Sequence, residues 1–189
     1  MAKKSRWMLR VLVPIGMLLV GWALYSILPE KMLEKYQTSG EDETSQQRLT
    51  YWAFGWEVMK EKPMLGVGYE NWMWNCWVRY PYGIKHGVPC LKPHNTYIQA
   101  GAELGIPALL IYIAMILQSF RINARTRRLV KDKQNNFILY MSHGLDGGMV
   151  GYVISSTFVT VLFYPMFWLQ LAMTVALYAI ARKQAGSPA

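Results

Sequence analysis

Lys92-Pro93-His94-Asn95-Thr96-Tyr97-Ile98-Gln99-Ala100-Gly101-Ala102-Glu103-Leu104-Gly105-Ile106-Pro107 is the stretch that decides the fold. It joins a long, aromatic-rich extramembrane segment to a strongly apolar helix. His94 follows a proline and opens a run that is free to be helical until Gly105-Ile106-Pro107 interrupts it. Beyond the break, Ala108 to Leu117 is apolar almost throughout and reads as a membrane span. A titratable imidazole just outside a bilayer suits proton transfer at the membrane surface. The plain alternative is an interfacial histidine that ends a loop, and spacing alone does not choose between the two.

Composition agrees with a membrane setting. Of 189 residues, 53% are hydrophobic, and they gather into long runs rather than spreading along the chain. The formal net charge of +9 lies mainly beside those runs, as the positive-inside rule predicts. It requires no nucleic acid, and no nucleic-acid recognition motif accompanies it.

In chain order, Lys3, Lys4, Arg6 and Arg10 precede an apolar run from Val11 to Leu28. At helical rise that run spans roughly 27 Å, close to the hydrocarbon thickness of a bilayer. Ser26-Ile27-Leu28-Pro29 is a poor cleavage site, so residues 1–28 read as a retained helix with a cytoplasmic start. Residues 29–104 form an outer loop, 105–120 a second span and 121–136 a cytoplasmic loop carrying Arg121, Arg125, Arg127, Arg128, Lys131 and Lys133. Residues 137–181 hold two further spans that turn at Tyr164-Pro165, with Trp168 as an interface anchor, and 182–189 are a cytoplasmic tail. The expected fold is an all-α integral membrane protein with about four transmembrane helices and one large helical loop between the first and second.

Within the outer loop, Glu41-Asp42-Glu43 reads as a solvated acidic turn, and Thr44 with Gln47 offers a capping box. Leu49, Trp52, Ala53, Trp56 and Met59 follow at helical spacing, predicting a stripe laid along the membrane or the bundle. Pro63 ends that helix, and Gly66 and Gly68 allow tight turns. Trp72-Met73-Trp74-Asn75-Cys76-Trp77 and Arg79-Tyr80-Pro81-Tyr82 supply aromatics either for an interfacial belt or as flat faces for sugar rings. Cys76 and Cys90 form a disulfide if the segment faces an oxidising compartment; two buried thiols are the alternative. No carboxylate cluster on this side suggests a divalent metal. His143 and Asp146 share a helix face beside Gly144, Gly147 and Gly148 and point to helix packing more than to chemistry.

Arg48-Leu49-Thr50-Tyr51-Trp52, then Lys62-Pro63-Met64-Leu65-Gly66-Val67-Gly68, then His94-Asn95 ahead of Gly105 at the threshold of an apolar helix, form an ordered set. Together they resemble the O-antigen ligase and polymerase superfamily, bacterial integral-membrane enzymes that include protein O-glycosylation ligases. Trp52 and Ala108 depart from the family pattern. The resemblance implies a multi-pass protein of the bacterial inner membrane with its large loop in the periplasm. It implies a polyprenyl-diphosphate-linked glycan as donor and a lipid, glycan or protein hydroxyl as acceptor. The transfer would be inverting and need neither metal nor cofactor. His94 would activate the acceptor hydroxyl and Arg48 would hold the diphosphate, with Asn95, Trp72 and Trp74 on the substrate-binding side. Arg79 lies in the right segment without a motif match. Family members usually have many more spans, and this chain resembles their C-terminal part, so a separate N-terminal membrane part is an expected partner. The competing class is a non-catalytic scaffold or partner-binding subunit of a polysaccharide assembly or export system. Arg48 and His94 facing one cavity favours the enzyme; both pointing into solvent favours the scaffold.

Overall fold

Breakers set the helix boundaries on which the site depends. The computed structural model describes residues 14–16, 18–23, 25–27, 43–79, 89–130 and 136–186, and no strand occurs among them. α1 is Pro14–Ile27 and α2 is Glu43–Glu61. α3 is Trp72–Trp74, continued as the π-helical Asn75–Arg79. α4 is Thr96–Leu104, α5 Ile106–Val130, α6 Asn136–Ser155 and α7 Pro165–Gly186. The basic start, Glu41-Asp42, Tyr80 to Tyr82, Lys131, Lys133 and the side chain of Arg79 lie outside the described residues.

The chain divides into two units after Gln46. In the first, α1 covers part of the expected Val11–Leu28 run and exposes nearly all of its described side chains. The second unit holds the site.

α2 stops where Pro63 requires: the amide of Lys62 makes the last helical bond, to the Val58 carbonyl at 2.8 Å. Its buried face overlaps the stripe that periodicity singles out only at Met59 and the half-buried Trp52. Tyr51, Phe54, Val58 and Met59 are buried, whereas Leu49, Ala53 and Trp56 are exposed. Apolar side chains fall on more than one face of its middle turns, so helical spacing fits two faces, and packing against α3 and α4 selects one.

α4 and α5 are parted by Gly105, whose φ of 88° lies in the left-handed region. A side chain there would collide with the Met64 carbonyl. α5 then runs to Val130, past the expected end at Phe120. The basic stretch from Arg121 to Arg128 is therefore helix and not loop. Arg, Ala and Leu are good helix formers, and no Gly or Pro interrupts them.

Among the described residues, α5 is the one helix long and apolar enough to cross a membrane by length and composition. α6 and α7 stand where two further spans are expected, but His143, Asp146, Gln170 and Thr174 dilute their apolar character. The turn between them occupies 156–164, ending at Pro165.

Three apolar clusters result. An outer one joins Tyr51, Phe54, Val58, Trp72, Cys76, Cys90 and Ala102. A second joins Ala100, Tyr112, Ile116, Met149, Leu162 and Phe167, and a third lies around Val130, Ile138 and Leu177. α4 is the wall between the first two: Ala102 and Ile98 face one, Ala100, Tyr97 and Leu104 the other.

Candidate functional site

The approach to His94 is pinned by aromatic side chains. Tyr51 Oη donates to the Pro89 carbonyl, Trp72 Nε1 to Leu91 O at 2.8 Å, and Trp52 Nε1 to Pro93 O at 2.9 Å. These are alternate carbonyls of a segment with no strand partner, so ring donors from α2 and α3 replace a ladder. Cys90, in the middle of that segment, forms a disulfide with Cys76, at a Cα–Cα distance of 5.8 Å. Both cysteines are buried. The Lys92 ammonium meets Glu70 Oε1 at 3.1 Å on the exposed side.

His94 comes next and adopts a φ of 48°, a left-handed conformation that non-glycine residues rarely hold. The turn is enforced from both sides. Trp52 holds Pro93 behind it, and Asn95 caps α4 ahead of it, its Oδ1 accepting from the amides of Tyr97 and Ile98, each at 3.0 Å. Thr96 anchors the helix start to the outer turn of the bundle. Its amide donates to Ser156 O at 2.8 Å, and its hydroxyl donates to Val159 O at 2.8 Å and accepts from the Val161 amide at 3.1 Å.

Arg48 lies one helical turn before Trp52 on α2, which brings its charge to bear on His94. Burial lowers the imidazole pKa below its ordinary value, and the Arg48 charge lowers it further. The neutral ring that a general base requires is therefore favoured near pH 7. Among the described residues, the Arg48 Nε–H is buried and donates to no protein acceptor. A buried guanidinium donor without a partner is costly, and an anionic oxygen is the group that would satisfy it.

Beneath the site, Glu103 is a buried carboxylate that sequence reasoning missed. Its Oε2 accepts from Gln99 Nε2 at 3.0 Å and its Oε1 from the Trp72 amide at 3.3 Å. Burial raises its pKa, and those two bonds, with one from the Glu70 backbone, oppose the rise. The four-residue spacing of Gln99 and Glu103 on α4 was the available signal.

The Pro63–Gly68 turn closes the C-terminus of the same helix. The amides of Val67 and Gly68 donate to the carbonyls of Ala102 at 2.9 Å and Glu103 at 2.8 Å, and the Ile106 amide donates to Pro63 O at 2.8 Å. Gly66, at φ 60°, lies so close to those carbonyls that any side chain would overlap them.

Arg48 stands within electrostatic range of His94, and the other expected residues are distributed differently. Trp72 is a buried ring, edge-on to Phe54, that positions Leu91. Asn95 spends its side-chain oxygen on the cap. Trp74 is exposed, and Arg79 contributes its backbone to the π-helical turn. Tyr51, Trp52 and Thr96, absent from the expected set, do the holding. On the bundle side of α4, a cavity of about 160 Å³ is lined by Ala100, Leu104, Ala108, Tyr112, Leu162 and Trp168.

At the opposite end of α5, Asp146 accepts from Arg127 at 2.6 Å and from Asn123 at 2.8 Å. His143 is exposed beside it and joins neither bond. This cluster couples α5 to α6, in keeping with a packing role.

Compared with known families, residues 1–113 match the family model described as O-Antigen ligase. No curated protein matches the chain.

Proposed function

The chain belongs to the O-antigen ligase family, and from that premise we propose that it is a membrane glycosyltransferase of the ligase or polymerase type. It takes a glycan from a polyprenyl-diphosphate donor and passes it to an acceptor hydroxyl at the periplasmic face of the inner membrane. The observation that carries this reading is the buried Arg48 Nε–H, which has no acceptor among the described residues and lies within electrostatic range of His94.

The topology proposed is a chain crossing the membrane about four times, with the loop of residues 29–104 outside and residues 121–136 inside. The Cys76–Cys90 disulfide supports an oxidising compartment for that loop. α4 is short, so His94 stays within roughly 20 Å of the membrane entry at Ile106. That is where a lipid-linked diphosphate presents its sugar.

In the proposed reaction, neutral His94 accepts the proton of the acceptor hydroxyl as its oxygen attacks the anomeric carbon. The bond from that carbon to the diphosphate oxygen breaks on the opposite face, which inverts the configuration. The electron pair leaves with the diphosphate, whose growing charge Arg48 meets through its planar donors. Trp74 offers an exposed ring to the glycan. Trp72 and Asn95 act from below by fixing the backbone on either side of His94. The apolar cavity beside α4 suits the first isoprene units of the donor. Arg48 and His94 both pointing into bulk solvent would favour the scaffold; the buried Arg48 Nε–H favours the enzyme.

The test is transfer in membranes that supply donor and acceptor, together with any N-terminal membrane part the reaction requires. His94→Ala should abolish transfer while insertion, the disulfide and donor binding persist. Near-normal transfer by that variant would refute the general-base role.

A further inference from the structure

The turn that closes α4 also fixes two exposed apolar side chains at a particular depth. Pro63 O accepts from the Ile106 amide at 2.8 Å, and the backbone of Met64 and Leu65 lies against Gly105. Ile106 opens α5, the described helix long and apolar enough to cross a membrane. Met64 and Leu65 are therefore held beside the first turn of that span. Neither is buried by protein: they are 68% and 81% exposed, respectively. About one turn further along α5, Leu110 and Ile111 are 60% and 62% exposed, so apolar surface continues from the turn onto the helix. Lys60 and Lys62, both exposed, immediately precede the apolar pair.

We propose that Met64 and Leu65 form a wedge that dips into the acyl-chain boundary of the leaflet α5 enters. Lys60 and Lys62 place their ammonium groups among the headgroup phosphates above it. Two lysines, with Glu61 between them, lead into the apolar tip, an order a bilayer boundary accommodates, and the fixed contact with Ile106 holds the tip level with the start of the span. The wedge has a mechanical consequence. The same turn is bonded to the carbonyls of Ala102 and Glu103, so anchoring it in lipid fixes the tilt of α4 and the height of His94 above the membrane. The proposal rests on the reading that α5 crosses a bilayer.

The test uses the full chain in lipid nanodiscs, with one cysteine introduced at a time at Leu65, Leu110 or Glu57 and modified with a nitroxide. The two native cysteines are joined to each other, so each introduced thiol is the one free to react. Collisions with oxygen report acyl chains; collisions with a water-soluble nickel chelate report water. The label at Leu65 should resemble the one at Leu110, with oxygen collisions exceeding nickel several-fold, while the Glu57 label shows the reverse. A water-dominated label at Leu65 with a lipid-dominated one at Leu110 overturns the wedge and leaves the span intact. A water-dominated label at Leu110 removes the span and the wedge with it. A Leu65 label shielded from both reagents means that protein covers the turn, which also overturns the proposal. Met64→Cys provides an independent second position, judged by the same outcomes.

Discussion

Two arginines, at opposite ends of the second unit, show how similar residues serve different ends. Arg127 has its counter-charge built in: Asp146 accepts at 2.6 Å, and Asn123 holds the other carboxylate oxygen at 2.8 Å. Arg48 has an imidazole within electrostatic range and a buried Nε–H that meets no acceptor among the described residues. An arginine paired within the fold joins helices. One whose acceptor must arrive from elsewhere is suited to bind. Both regions stand out in the sequence as ionisable groups near a membrane, and the pairing separates them.

The largest effect that could break the comparison is on chemistry. Replacing His94 with Ala should lower transfer by about a hundredfold to ten-thousandfold, the usual range for losing a general base. An Arg127→Met/Asp146→Leu double variant should leave transfer per folded molecule near normal. Comparable losses in both would dissolve the distinction between the two ends.

Next in size is folding. Asp146→Ala strands the Arg127 guanidinium and should cost about 2 kcal/mol in detergent-based unfolding, whereas the double variant should recover much of that loss. Gly66→Ala should cost a similar amount, about 2 kcal/mol, because φ 60° is unfavourable for alanine and the added carbon meets the carbonyls of Ala102 and Glu103.

A smaller shift is expected in pH dependence. Burial and the Arg48 charge both lower the His94 pKa, so the proton-accepting form is present above a value under the ordinary imidazole range. Transfer should fall as pH drops through that lowered value. Arg48→Gln removes the positive charge and should move the limb upward, toward about 6.5. A limb that does not move would remove the electrostatic link between the two residues.

The smallest effect concerns strain. His94→Gly relaxes the left-handed backbone and should add about 1 kcal/mol of stability while abolishing transfer. A glycine variant less stable than the unmodified protein would show that the imidazole packs more than its backbone strains.

Much of the site's local order was legible because it rests on breakers. Pro63 ends α2, a helical run begins at His94 and Gly105 parts α4 from α5, whereas the Asn95 cap was not read. The pairing of Cys76 with Cys90 was one of two open readings, and the structure closes it as a disulfide. Other features depend on packing that no local pattern encodes. The buried face of α2 could not be chosen because Leu49 and Trp56 fit the helical period as well as Phe54 and Val58 do. Trp72 looked like a sugar platform because nothing in its neighbours reveals that its Nε1–H is committed to Leu91. Glu103 escaped notice because, although Gln99 lies one turn before it on α4, the Trp72 amide meets it only once α3 rests on α4. The end of α5 was set too early because charge was read as a loop, although arginine extends a helix readily.

The proposed role of Arg48 is to meet a diphosphate with the Nε–H that has no acceptor among the described residues. Its most direct test is the affinity of the full chain, in nanodiscs, for a polyprenyl diphosphate with and without the Arg48→Ala change, with Arg127→Met as the comparison. The account predicts at least about a tenfold loss for Arg48→Ala, equivalent to ~1.4 kcal/mol, and little change for Arg127→Met. Equal affinities across all three proteins would contradict it.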